Sequence, residues 1–387
     1  MRQDSNVVYI GKVKGTAYEM GYAYGQLFGD EIASVFSGLE AYGRSQVTGF
    51  LEKLGVPTSV GDMIFAQLES IGFWALDLNW QIASPYIPKR FVDELQGIAD
   101  GADGKISHEN IIRANMIPEL IQAACSIVGA WGPATEGSRL LHLRALDWDA
   151  KAPVNQFPSV ILYEPTEAGS HPFANIGFIG MIGSLTAISK IGISVGEKVM
   201  YVIDPTAYPE APEITYYGKP WTFVLRDTVQ FASNIYDVER LLQATNRTMK
   251  IHLGFGSLPD NTFRGVDYAS NFVTFYDDKN YTHYTKSHNQ IDGVFYYDKG
   301  IQPDGDVCLS GVLNLNHGKI TPATLYQDAA GFHQTGNAQV IVMDPLSQEL
   351  WASWSQYGAP VNAYERSPIH IRLNDFWTPT AEDRFLY

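Results

Sequence analysis

Cysteine is scarce in this chain. Cys125 and Cys308 are the two in 387 residues. Two cannot build a disulfide scaffold, and neither C-x-x-C nor H-E-x-x-H occurs, so no metal site or other cofactor is indicated. Both thiols are expected free. Basic charge is scarce as well: 27 Lys and Arg stand against 42 Asp and Glu, for a formal net charge of −15 and a pI of about 5.0. That balance argues against nucleic acid and polyanionic surfaces as partners. An acidic protein loses this charge as pH falls, which would suit an acidic compartment. No apolar run is long enough to span a bilayer, and the opening MRQDSN does not read as a signal peptide. Internal repeats and low-complexity linkers are missing too.

What is present is core material. Hydrophobic residues make up 45% and charged residues 18%, which excludes bulk disorder and suffices for one large domain or two. The stretch that organises the chain is Cys125 to Asp149, CSIVGAWGPATEGSRLLHLRALDWD. Strand formers lie on both sides of GPATEGS, whose Gly and Pro punctuate a loop, so the stretch reads as a β-hairpin. With Trp131 opposite Arg139, antiparallel pairing brings Ala145 beside Cys125, with Arg144 and Asp147 close by. A lone strand Cys is usually packing, and Arg144 with Asp147 has an ordinary reading as a surface pair. Yet charged side chains in an apolar strand are costly unless paired, and a cation near a thiol favours the thiolate.

Cys125-Ser-Ile, a turn, and then Arg144-Ala-Leu-Asp147-Trp148 resembles the cysteine N-terminal nucleophile hydrolases, in the branch of acid ceramidase, N-acylethanolamine acid amidase and the isopenicillin N acyltransferases. The resemblance implies a precursor cut between Ala124 and Cys125, so that 1–124 is a helical α segment or propeptide and 125–387 a catalytic β segment, the two staying associated. It implies that Cys125 is the nucleophile and its freed α-amine the base. Arg144 then supports the thiolate and Asp147 orients the amine. An α-amine titrates at roughly 7.7–8.0 unperturbed, which suits it to that work. The implied fold is α+β, a four-layer αββα sandwich.

Val7 to Val13 is a short strand. Thr16-Ala-Tyr-Glu19 is a capping box starting a helix to about Arg44, and Gly21, Gly25 and Gly29 on one helical face suggest close packing. The aromatic-rich span Ile64 to Ile82 reads as core, with a pocket or membrane-facing rim as the alternative. Helices follow at Pro88 to Ala99 and, after Ser107, at Glu109 to Met116. Past the hairpin come a strand at Ser159 to Tyr163, glycine-punctuated strands over Ala174 to Gly196, helices at Trp221 to Asn234 and Asp237 to Ala244, and a hairpin over Gln339 to Trp354.

Gly192-Ile-Ser194-Val-Gly196 matches the G-x-S-x-G elbow, but that motif needs a helix after the Ser, and the residues that follow favour strand and turn. His283 and His288 read as surface or loop residues. Gly265 to Phe275 resembles the strand that carries an oxyanion-hole Asn in the amidases, which points to Asn271, with Asn175 as the alternative and an ordinary strand-end polar residue as the plain reading. The sequons at Asn246 and Asn280 matter only in a secretory protein.

The expected function is therefore hydrolysis of a C–N amide in a small N-acyl substrate, of ceramide or N-acylethanolamine type, with peripheral membrane contact for a lipid. Acyl transfer to an amine, or non-catalytic binding on the same scaffold, is the alternative. A lysosomal or secreted location follows from the resemblance, with the cytoplasm as the alternative.

Overall fold

The computed structural model describes residues 7–53, 73–119, 124–201, 206, 208, 210–281, 288–299, 307–359 and 361–377. Helix α1, Ala17–Lys53, starts at the expected capping box: the Thr16 N–H donates to Glu19 Oε2 at 2.7 Å and the Glu19 N–H to Thr16 Oγ1 at 3.3 Å. It runs beyond Arg44. Its glycine stripe lies against α3, Lys89–Gly101; the helical residues 73–83 come between as α2. A Cβ at Gly21 would meet the Glu94 carbonyl oxygen at 2.1 Å, and one at Gly25 that of Ile98 at 2.3 Å. Gly97 and Gly101 return the contact against Tyr18 and Tyr22 of α1, so the two helices meet backbone to backbone. Helix α4, His108–Met116, is capped by the Ser107 side chain, as its sequence predicts.

Two sheets follow. The first has eight strands, in the order β1 (Tyr9–Gly15), β4 (Pro158–Pro165), β5 (Phe173–Phe178), β6 (Thr186–Ser189), β7 (Ile193–Val199), β8 (Ile251–Ser257), β9 (Thr262–Tyr268) and β10 (Val273–Tyr276). The second has six, in the order β11 (Val294–Tyr297), β2 (Ala124–Ala130), β3 (Leu141–Asp147), β12 (Gln339–Asp344), β13 (Glu349–Trp354) and β14 (Ile369–Arg372).

Period-two alternation sorts the side chains into layers. On β4, Ile161 and Tyr163 face a core built with α1, α3, α4, α5 (Trp221–Phe231) and α6 (Ile235–Ala244). Val160 and Leu162 face the other way, into the space between the sheets, where they join Cys125, Leu146, Ile341 and Met343. The far face of the second sheet, with Val128, Leu143 and Val342, is covered by α7 (Val307–Leu315) and a π-helical turn, Thr324–Gly331. The architecture is the expected αββα sandwich.

Residues before Cys125 do not pack as a separate unit. They supply β1, paired in parallel with β4 from Tyr9↔Ser159 to Gly15↔Pro165, and much of one helical layer. Of the aromatic-rich span, residues 64–72 lie outside the described residues; beyond them Leu76 is buried, whereas Trp74 is 62% exposed.

Candidate active site

The hairpin forms, but one residue out of the expected register. Cys125 pairs with Leu146, not Ala145, and Ile127 pairs with Arg144. The loop is the cause. The Trp131 N–H donates to the Gly293 carbonyl at 2.8 Å, and the Arg139 carbonyl accepts from Thr135 Oγ1 at 2.6 Å. Trp131 and Arg139 are therefore not ladder partners. A one-residue slip exchanges the faces of a strand. The observed register sets Arg144 diagonally beside Cys125 on the inner face, whereas the expected one would have put it on the opposite face.

Arg144 Nη2 lies 3.6 Å from Cys125 Sγ, and Nη1 donates to Gln339 Oε1 at 3.1 Å. Nη2 also makes an ion pair with Glu197 Oε1, and that oxygen is 3.7 Å from the same sulfur. All three groups are buried. Gly196 makes the approach feasible: a Cβ there would stand 3.0 Å from Arg144 Cγ and 3.1 Å from His142 Nε2. Burial, and then the Glu197 carboxylate, push the Cys125 thiol well above its ordinary range; Arg144 pulls it down by less. Burial thus favours the protonated thiol.

Asp147 sits on the opposite face, as the register partner of Ala124. Its carboxylate accepts from Thr335 Oγ1 at 2.8 Å and from the N–H groups of Gly336 and Asn337 at 2.8 and 3.0 Å. Because Thr335 gives its proton to Asp147, the 2.7 Å contact between Thr335 Oγ1 and Ser126 Oγ has Ser126 as donor. Thiol and guanidinium thus share one face of the hairpin end, while the carboxylate is held on the other.

The structure does not bring Asn271 to this place. Between β9 and β10, its amide donates to the Ala211 carbonyl at 3.0 Å and accepts from the Glu213 N–H at 3.0 Å. Both halves of the amide are spent closing a loop, which is what Asn does well in turns. Asn175 donates to the Gly183 carbonyl at 3.2 Å. Ser194 lies inside β7, where strand rather than helix continues after it to Val199, and its Oγ is 2.9 Å from His142 Nδ1. Burial, with Arg144 adding to it, lowers the His142 pKa to about 3, so the imidazole is neutral. His288 is buried, not at the surface: it stacks on Tyr296 and its Nε2 meets the Tyr296 carbonyl at 2.8 Å. His283 lies outside the described residues.

Glu197, Gln339 and Thr335 went unmarked in the sequence. A signal for Glu197 exists: Glu197 and Lys198 are consecutive charges inside a β-branched run directly after a glycine, and both are buried. Beside this cluster lies an apolar pocket, walled by Val35 and Phe36 of α1 and by Leu146, Trp148, Met181 and Trp221, with Glu197 bringing a carboxylate to its edge. Cys125 does not line the pocket itself, but Leu146, its register partner, and Glu197, 3.7 Å from its sulfur, both do.

The fold and the site together describe a two-sheet αββα protein with a buried thiol, an Arg–Glu pair and an apolar pocket. The chain belongs to the same family as protein dcd1A of Dictyostelium discoideum, to which it is 33% identical over 96% of this chain and 86% of the relative. Protein dcd1B of the same organism is 32% identical over 92% and 70%. No family model matches the chain. Among solved structures it is similar to the Caenorhabditis elegans N-acylethanolamine-hydrolyzing acid amidase ortholog, at a TM-score of 0.41 and 11% identity, covering 64% of this chain and all of that one.

Proposed function

We propose that this protein is a self-processing cysteine amidase that hydrolyses the C–N amide bond of an N-acyl substrate with an apolar acyl group. The observation that carries this is the placement of Cys125 Sγ within 3.6–3.7 Å of Arg144 and Glu197, next to residues that line an apolar pocket and one residue after the register partner of Asp147.

Processing begins with attack of Cys125 Sγ on the Ala124 carbonyl carbon. The C–N bond breaks, the thiol proton passes to the departing nitrogen, and a thioester forms beside a free Cys125 α-amine. Water then opens the thioester, leaving a carboxylate on Ala124 and a thiol on Cys125. The new amine lies at the strand end, next to the anchored Asp147. In turnover this amine takes the thiol proton as sulfur attacks the substrate amide and gives it to the leaving amine; water hydrolyses the acyl-thioester. Arg144 favours the thiolate electrostatically. Asn271, committed to its own loop, has no part in this scheme.

The test is intact mass and N-terminal sequencing of the purified chain, held at neutral and at mildly acidic pH. The expected result is a new N-terminus at Cys125, absent from Cys125→Ala, with amide hydrolysis lost in the same variant. A chain that stays whole at both pH values, or Cys125→Ala protein that still hydrolyses acyl amides, overturns the proposal.

A further inference from the structure

Gly180 and Met181 line the pocket within a short irregular segment, Gly180-Met181-Ile182, between β5 and β6. Loops of this kind normally leave their backbone groups to water. Here buried side chains hold every polar backbone group of the two residues flanking Met181. The Gly180 N–H donates to Tyr24 Oη at 2.9 Å, and the Gly180 carbonyl accepts from Asn115 Nδ2 at 3.0 Å. The Ile182 N–H donates to Asn115 Oδ1 at 2.9 Å, and the Ile182 carbonyl accepts from Arg226 Nη1 at 2.7 Å. Tyr24, Asn115 and Arg226 are each at most 2% exposed. One Asn115 amide therefore bridges both sides of Met181, and its Nδ2 is braced in turn on the Ile111 carbonyl of α4 at 2.9 Å. Gly180 has φ +97°, a left-handed conformation that glycine adopts without strain.

Such a clamp does one thing. It presents the Met181 side chain to the pocket and turns that of Ile182 into the helical core. Met181 is half-buried and stands in the pocket with Trp148 and Glu197. Resting on the proposal that this pocket receives an acyl group, we infer that Met181 sets the length of acyl chain accepted, and that Asn115, with Tyr24, is the positioning residue that keeps Met181 in place. The clamp is built largely by residues preceding Cys125, so the segment ahead of the cleavage point takes part in substrate selection.

Binding is read on the purified full chain, apart from turnover. A doxyl-labelled fatty acid quenches the pocket tryptophans, Trp148 and Trp221, and saturated fatty acids from hexanoic to stearic displace it. Met181→Ala should move the preferred acid longer by about two to three methylenes, with each newly accommodated methylene tightening binding roughly three- to fourfold. Met181→Phe should move it shorter. Asn115→Ala, with its fold checked by circular dichroism, should flatten the ranking, and Tyr24→Phe, which removes one acceptor and keeps the ring, should flatten it less. An unchanged ranking in both Met181 variants overturns this inference and leaves the acyl pocket standing. A ranking that shifts in the Met181 variants but is wild-type in folded Asn115→Ala and Tyr24→Phe overturns the clamp. Wild-type protein that is not quenched by the probe overturns the acyl-pocket proposal and this inference with it.

Discussion

Two buried Arg–Glu pairs do different work in this molecule. Arg226 of α5 grips Glu94 of α3 with two nitrogens on two oxygens, at 3.2 and 2.9 Å, and lies over the rings of Tyr163 and Phe173 at 4.2 and 4.7 Å. Arg144 meets a single oxygen of Glu197, and its remaining contacts are Gln339 and the Cys125 sulfur. A bidentate pair fixes both position and orientation. The first pair is bidentate, and it ties a helix before Cys125 to one after it. The second leaves a donor turned toward the buried Cys125 thiol. Glu119 extends the series: it is buried, one oxygen accepts the Trp221 N–H at 2.8 Å, and no cation pairs with it among the described residues.

The comparison can be broken most forcefully at the bidentate pair. Glu94→Ala strands Arg226 in the core and should cost about 3–5 kcal/mol in urea unfolding, whereas replacing both residues by leucine should return most of that loss. A Glu94→Ala protein no less stable than Glu197→Gln would erase the distinction.

Glu119 gives the next largest effect. Burial raises its carboxyl from the ordinary 4.5 to about 7, against the opposing pull of the Trp221 N–H and Thr248. A raised folded-state pKa means that the group's stabilising contribution is complete below its ordinary value and is lost as pH climbs through about 7. Relative to Glu119→Gln, the wild type should therefore lose up to about 3 kcal/mol on going from mildly acidic to mildly alkaline solution. Unfolding midpoints of the two proteins across that range measure it, and parallel curves would count against it.

The smallest effect on stability, and the sharpest on chemistry, belongs to the second pair. Glu197→Gln removes the carboxylate that holds the thiol pKa up, so the pH profile of Cys125 alkylation by iodoacetamide should move to lower pH. Arg144→Gln should move it to higher pH. Shifts in the same direction would show that the two residues do not oppose each other across the sulfur.

Much of the sandwich was legible because its signals are local. The capping box at Thr16, the cap at Ser107, the glycine stripe on α1 and the strand–turn–strand pattern after Cys125 each depend on a few neighbouring residues. What escaped depends on pairs far apart in the chain. The hairpin slipped by one residue because the Trp131 N–H is drawn to Gly293, in the turn before the distant strand β11. Glu197 reaches Cys125 only because two sheets stack with a bare glycine between them. Asn271 misled because an Asn in a glycine-bearing strand looks alike whether it faces a site or closes a turn. The Asn115 clamp on Met181 joins an ordinary helix residue to an ordinary loop.

The parallel pairing of β1 with β4 has a consequence for folding. It joins Tyr9 to Ser159, so the intact chain forms it by closing one long loop, whose entropic cost grows only logarithmically with length. A cut between Ala124 and Cys125 opens that loop for good. The folded molecule would keep its edge strand and its Glu94–Arg226 tie, but a denatured one would have to recover them by collision between two chains. Its recovery would then depend on concentration, and its persistence would rest on slow unfolding rather than on easy return. A protein so cut would fold once, as a single chain, and afterwards live on that barrier.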